Sequence, residues 1–302
     1  MSPLLTFVVA GAARAGSTAV VEALRGHPDV FVTQPKEPHY LALAGERPRF
    51  TGPGDDETIN RFSVTDPSEF TALFAGSAGH VARGEGSVST LYYHDRSVHR
   101  LRELNPAARV VLVLREPVAR AYSSHQYLLN RGYEPIPDFL DAVTEEKRRI
   151  DDGWHHLWHY TAMSRYADAV AHFRSVFGDS VGVWWYDDLR ADSTACVAEI
   201  ARFVGVDPAR SAQDDVQRVN ASGVPRRQWV QRAMHKAAEK PRVKAAVKAV
   251  VPFSVRERIR SANLNASDVP ASARDALAPV FADDLDRLEQ VLARPVPRSW
   301  RS

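Results

Sequence analysis

An apolar run, Leu4-Leu5-Thr6-Phe7-Val8-Val9-Ala10, passes directly into Gly11-Ala12-Ala13-Arg14-Ala15-Gly16-Ser17-Thr18 and then into a helical pattern with Val20, Val21 and Leu24 on one side. This unit constrains the fold more than any other stretch. A buried strand that feeds a helix through a tight glycine loop is the opening of an α/β layer structure. It aims backbone N–H groups and a helix N-terminus at a single spot, where an anion is stabilised. The three small alanines leave the backbone open to close approach. The run carries no basic side chain before it and is too short for a targeting core, so it reads as a first strand and not as a signal peptide.

The rest of the chain repeats the alternation. Val30-Phe31-Val32 reads as a second strand, and Arg109-Val110-Val111-Leu112-Val113-Leu114 as a strand buried on both faces of a parallel sheet. Val181-Gly182-Val183-Trp184-Trp185-Tyr186 reads as another. Helical spacing is expected over 17–25, 97–104, 118–130 and 272–292, and around Tyr166, Val170, Phe173 and Phe177. Residues 45–68 are polar and rich in turn formers, which predicts a surface excursion. The fold expected is α/β, a P-loop-type three-layer arrangement with a central, mostly parallel sheet flanked by helices. It forms one domain over 1–302 with a helical C-terminal layer, its basic helical segment expected at about 226–302.

Composition removes several classes. No run reaches the ~18 apolar residues of a membrane span. A single cysteine, Cys196, allows neither an internal disulfide nor a multi-cysteine zinc site. It falls on the apolar face of a helix with Val197, Ile200 and Phe203, as a core residue would. These features predict a cytoplasmic protein. The net charge of +2 is a cancellation: residues 226–260 hold 11 Lys/Arg and 2 acids, and the remainder holds 28 Lys/Arg against 35 Asp/Glu. The basic stretch reads as a solvated helical face, an anion-facing wall or a membrane-surface helix. No nucleic-acid motif accompanies it, so no nucleic-acid partner is expected.

The Gly11-x4-Gly16 spacing matches a P-loop, but Ser17 stands where a kinase or ATPase has lysine, and the cation is Arg14, inside the loop. A second anion site is expected at Arg115-Glu116-Pro117-Val118-Ala119-Arg120-Ala121-Tyr122-Ser123. Arg115 lies at a strand's carboxyl end, where ligands of open α/β sheets bind, and Ser123 follows in the first turns of the next helix.

Together the loops at 11–18 and 115–123 resemble the 5′-phosphosulfate loop and the 3′-phosphate site of sulfotransferases that use 3′-phosphoadenosine 5′-phosphosulfate (PAPS). Lys36-Glu37-Pro38-His39-Tyr40 and Gly84-Glu85-Gly86-Ser87-Val88 resemble segments of the heparan-sulfate-type and bacterial branch. Asn220-Ala221-Ser222-Gly223-Val224-Pro225-Arg226-Arg227 resembles that family's late basic loop. Gly86 stands where the heparan-sulfate enzymes carry a lysine. The resemblance implies sulfonate transfer from PAPS to a hydroxyl of a small-molecule, sugar or lipid acceptor, with no metal. It implies a cofactor site of Ala13, Ala15, Gly16, Ser17, Thr18, Arg115, Ser123, Gly223, Arg226 and Arg227. Arg14 would stabilise the leaving phosphate, and Glu37 or His39 would accept the acceptor's proton. A Glu37 base would need burial to raise its pKa. The alternative is a P-loop small-molecule kinase using ATP. A third reading is a membrane-surface binder led by 226–260. The stretch Trp154, His155, His156, Trp158, His159, Tyr160 reads as an aromatic wall beside a ligand or as a packing face.

Overall fold

The computed structural model describes residues 3–210 and 269–301. Five strands, β1 (Phe7–Gly11), β2 (Val30–Val32), β3 (Ala82–Gly86), β4 (Arg109–Leu114) and β5 (Val181–Trp185), form one sheet in the order β2-β3-β1-β4-β5. Every pairing is parallel. An all-parallel sheet must be covered on both faces, and the central strands are accordingly continuous apolar runs. Phe7, Val8, Val9 and all of Val110 to Leu114 are sealed from solvent.

β3 lacks such a run. Its Ala-Arg-Gly-Glu-Gly sequence carries neither alternation nor β-branched residues, and the expected strands omit it. The neighbour explains the composition: a Cβ on Gly84 would lie 2.5 Å from the Phe7 ring. A side chain at Gly84 would push β3 away from β1, so the strand trades its own packing for that of Phe7.

Six longer helices flank the sheet: α1 (Ser17–Arg25), α2 (His94–Leu104), α3 (Pro117–Arg131), α4 (Ala167–Phe177), α5 (Ser193–Val204) and α6 (Ala271–Leu292). α1 and α5 touch each other on one face, and α2 and α4 pack together on the other. α6 lies over α4 and α3 as an outer layer. Boundaries follow local chemistry. Glu116 caps α3 by accepting from the N–H groups of Val118 and Ala119, with Pro117 at the first helical position, where a missing N–H is harmless. Gly132 and Gly205, both left-handed, end α3 and α5.

Residues 45–68 hold short helical turns, among them Ile59–Phe62, joined by irregular chain. Cys196 is buried on α5, and burial raises its thiol pKa to about 12, as an inert core thiol requires. Among the described residues no helix is long and apolar enough to cross a membrane. The basic stretch 226–260 lies outside the described residues.

Candidate active site

All the expected motifs within the described residues gather at the carboxyl edge of the sheet. The loop after β1 turns into α1 at Gly16, whose φ of 87° is left-handed. A side chain there would be strained and its Cβ would lie 2.7 Å from Leu189 Cδ2. The Ala12 N–H donates to the Val113 carbonyl at 2.6 Å, which ties the loop to β4. Ala13, Ala15 and Ser17 are buried and Thr18 is exposed. No side chain caps the N-terminus of α1. Its first-turn N–H groups, carrying the positive end of the helix dipole, remain for an anion.

The two loops interlock. Arg14 Nε donates to Ser123 Oγ at 3.3 Å, and its guanidinium lies 4.5 Å from the Tyr127 ring centroid. Arg115 donates from a terminal nitrogen to the Arg14 carbonyl at 2.9 Å and lies 4.8 Å from the Tyr186 ring centroid. The Tyr166 hydroxyl donates to the Arg115 carbonyl at 2.9 Å. Burial lowers the Arg115 pKa, but a guanidinium stays charged throughout the working range. Two cations and a hydroxyl from segments about a hundred residues apart thus share one place.

Arg120, in the same motif, behaves differently. It is fully buried, donating to Ser164 Oγ at 2.6 Å and to the Tyr160 carbonyl at 2.8 Å. It braces α3 against the 160–164 segment, and its remaining terminal nitrogen is buried without a hydrogen-bond partner.

The third segment follows β2. The Glu37 N–H donates to the Gly86 carbonyl at 2.9 Å, and Glu37 Oε2 accepts from the Val88 N–H at 2.8 Å. Lys36 pairs with the other carboxylate oxygen. Burial acts to raise the Glu37 pKa, but the Lys36 charge and then His39 outweigh it, and the net effect is a lowered value. The rise by burial that a Glu37 base would need is therefore absent: the group is held as a carboxylate. His39 Nδ1 is 2.8 Å from Ser89 Oγ, and burial, its largest influence, holds the imidazole near a pKa of about 4 and therefore neutral.

Backbone strain marks the same residues. Among the described residues four non-glycine positions have positive φ, and three of them are Arg14 (66°), Glu37 (63°) and His39 (58°). Such conformations are disfavoured for L-residues and concentrate at functional sites.

Several participants stand in segments the sequence reading singled out but received no role there. Glu85 is completely buried in β3, accepts from Ser87 Oγ at 2.7 Å, and has its pKa raised to about 7, mainly by burial. Ser87 Oγ in turn accepts from the His39 N–H at 3.1 Å. His156 is buried with its ring 5.8 Å from that of His39, and its Nδ1 has no hydrogen-bond partner. Lys36 flanks the bare Cα of Gly86: a Cβ there would meet Lys36 Cε and Cγ at 3.9 Å. No local pattern announces these contacts, because each joins residues far apart in sequence or on different strands.

The Trp154 to Tyr160 stretch is chiefly a packing face. Trp158 and Tyr160 are sealed from solvent, and His155 Nδ1 is 2.5 Å from Asp55 Oδ1 in the interior. Buried Arg149 forms a two-pronged pair with buried Glu134 at 2.8 and 2.9 Å, and the Tyr160 hydroxyl also donates to Glu134. A cavity of about 280 Å³ opens between Ala12 of the loop, Val88, Tyr92, His94 and Met163. Gly223, Arg226 and Arg227, expected in the late basic loop, lie outside the described residues.

The fold sets two arginines, a serine hydroxyl and an uncapped helix N-terminus together at the carboxyl edge of a parallel α/β sheet. Residues 6–210 match the sulfotransferase family, so the chain belongs to that family. A solved sulfotransferase from Alicyclobacillus acidocaldarius superposes with a TM-score of 0.75 at 26% identity, covering 99% of each chain. Carbohydrate sulfotransferase 15 of Homo sapiens is 27% identical over 170 residues, 46% of this chain and 30% of that protein. Its Mus musculus counterpart is 24% identical over 169 residues, with the same coverage of each. The chain thus spans under a third of the length of these curated relatives.

Proposed function

We propose that the protein transfers a sulfonate group from PAPS to a hydroxyl of a carbohydrate or similar small acceptor. The observation that carries this is the interlock of Arg14, Ser123 and Arg115, two cations and a hydroxyl at the uncapped N-terminus of α1. That donor set fits a nucleotide bearing two separated phosphate groups better than ATP. Ser17 in place of lysine removes the side chain that grips a transferring γ-phosphate, which counts against the kinase reading.

The backbone of Ala13, Ala15 and Gly16 with the hydroxyls of Ser17 and Thr18 would hold the 5′-phosphate. Arg115 and Ser123 would hold the 3′-phosphate; the family resemblance also implies Gly223, Arg226 and Arg227, which lie outside the described residues. The bound donor supplies an activated sulfonate on a phosphate leaving group. Arg14 offers fixed positive charge where negative charge grows on that leaving group, which is electrostatic preorganisation. It does so as a permanent cation and not as an acid. This donor set performs the transfer without a metal.

Glu37 is the base of this proposal. The choice rests on geometry, since its carboxylate is oriented by the Val88 N–H; its lowered pKa, like that of His39, makes it a weak base, so the substrate proton would leave late, as the sulfonate bond forms. Lys36 supplies the cation that a lysine at Gly86 would otherwise supply. A sugar acceptor is supported by the name of the carbohydrate sulfotransferase relatives. A lipid acceptor, with 226–260 resting on a membrane surface, is the second possibility the proposal leaves for experiment. One buried thiol suits a reducing, cytoplasmic setting.

Calorimetry with 3′-phosphoadenosine 5′-phosphate against 5′-AMP tests the reading, followed by incubation with PAPS and a panel of sugar acceptors. A bisphosphate preference of at least tenfold and sulfated product are expected, with product lost in Arg14→Ala. Equal affinity for both nucleotides would refute the assignment.

A further inference from the structure

Where the first turn of α2 meets α4, three side chains of metal-ligand type converge, and neither the anion site nor the proposed base uses them. His94 and Asp95 open α2, and His172 comes from α4. The Nδ1 atoms of His94 and His172 are 3.0 Å apart. Asp95 Oδ1 stands 3.4 Å from His94 Nδ1 and 3.7 Å from His172 Nδ1. A tetrahedral zinc ion with ligand bonds of about 2.0–2.1 Å requires ligand atoms about 3.3 Å apart. The three observed separations bracket that value. The triangle is therefore the size of one face of a zinc tetrahedron, already assembled from two elements 78 residues apart. Among the described residues this is the one group of three or more such side chains with ligand atoms so close together.

Two neutral imidazoles and an exposed carboxylate could share a single N–H···N bond without a metal. That bond would account for the 3.0 Å approach, and an ion pair of Asp95 with a protonated ring is the metal-free alternative for the other two separations, which the titration below distinguishes. We propose that His94, Asp95 and His172 bind one zinc ion, which pins the start of α2 to α4 and leaves its fourth position open to water. The donor set of two imidazoles and one carboxylate is a zinc type, and the exposed Asp95 gives the ion its entry side. His94 also lines the cavity that reaches Ala12 of the anion loop. The ion would thus stand at that cavity's rim and stabilise the wall that α2 and α4 provide.

The test uses the full chain stripped with a chelator and titrated with Zn²⁺ and, separately, Co²⁺. One equivalent of Co²⁺ with the intense visible absorption of four-coordinate geometry is expected. Zn²⁺ at a hundredfold excess over Kd should raise Tm by about 5 °C. Asp95→Asn alters an exposed side chain, so the fold is not at stake; it should weaken zinc binding at least tenfold, and His172→Ala should remove the stoichiometric phase. If His172→Ala misfolds, Asp95→Asn decides the matter alone. Absence of a stoichiometric metal phase, or equal binding by wild type and Asp95→Asn, overturns the proposal. Failure of PAPS turnover would leave it standing, because metal binding is read directly.

Discussion

Replacing Glu85 by glutamine makes the protein's stability respond to pH in a way that can be worked out in advance. The carboxyl is sealed inside β3 and its Oε1 has no hydrogen-bond partner, so little in its surroundings compensates the charged form. Burial, opposed by the Ser87 hydroxyl and helped by the nearby Glu37 charge, raises its pKa from 4.5 to about 7. Between those two values the folded protein holds a proton that the unfolded chain has released. Stability contributed by the protonated group is complete below pH 4.5 and is lost as pH rises through 7. A shift from 4.5 to about 7 corresponds to as much as about 3 kcal/mol lost by pH 8, or about 5 °C in Tm for a chain of this length.

Glutamine keeps the shape and cannot ionise. The Tm of Glu85→Gln minus that of wild type should therefore climb by several degrees between pH 5 and pH 8. Taking the difference matters, because His39 and His159, both lowered to about 4 chiefly by burial, act the other way. Their unfolded forms bind protons first, so they destabilise the fold as pH falls from 6.5 toward 4, equally in both proteins. Thermal melts followed by circular dichroism at half-unit pH intervals give the curve. A difference that stays flat from pH 5 to pH 8 would refute the claim that Glu85 is held protonated by its surroundings.

Arg115→Ala should weaken the 3′,5′-bisphosphate by about 30–150-fold, the loss of about 2–3 kcal/mol of charged hydrogen bonding. 5′-AMP should weaken far less, since only the bond to the Arg14 carbonyl is shared; calorimetry on both nucleotides reads the ratio. Arg149→Ala leaves Glu134 charged and unpaired in the interior and should cost about 3–5 kcal/mol in urea unfolding. Lys36→Met should lower kcat for sulfonate transfer with little change in bisphosphate affinity; an unchanged kcat would remove Lys36 from the site. Gly16→Ala should abolish nucleotide binding while far-UV circular dichroism stays native, because the left-handed strain and the clash with Leu189 fall on the loop and one neighbouring side chain.

Much of the sheet could be read from the chain because parallel strands buried on two faces must be apolar. β4 matches its expected bounds, and β1 begins three residues later than the run at Leu4 suggested. β3 was invisible for the complementary reason: Gly84 is small because Phe7 is large, and that exchange takes place between strands. At the site, Arg14, Arg115 and Ser123 were legible because loop chemistry is local, and the structure brings them into contact. Glu85 and His156 stood in segments the sequence marked, but their roles were not legible, nor was the His94–His172 pair, since burial and distant partners define them. The Trp154 to Tyr160 stretch shows the limit of composition: histidines and tryptophans that could line a ligand site mostly fill the interior, with Asp55, a hundred residues away, satisfying His155.

The contact between Arg14 and Ser123 has a consequence for how ligands enter. Each anion loop already has a partner before any nucleotide arrives, and that partner is the other loop. On the proposed cofactor site, binding is an exchange in which the Arg14–Ser123 bond gives way to bonds with phosphate oxygens. The heat released should be smaller than the number of new bonds suggests. The contact is broken once in either case, and one molecule carrying both phosphates gains over two inorganic anions because its second phosphate arrives already tethered. On this reading the latch serves to keep the loops in register between turnovers.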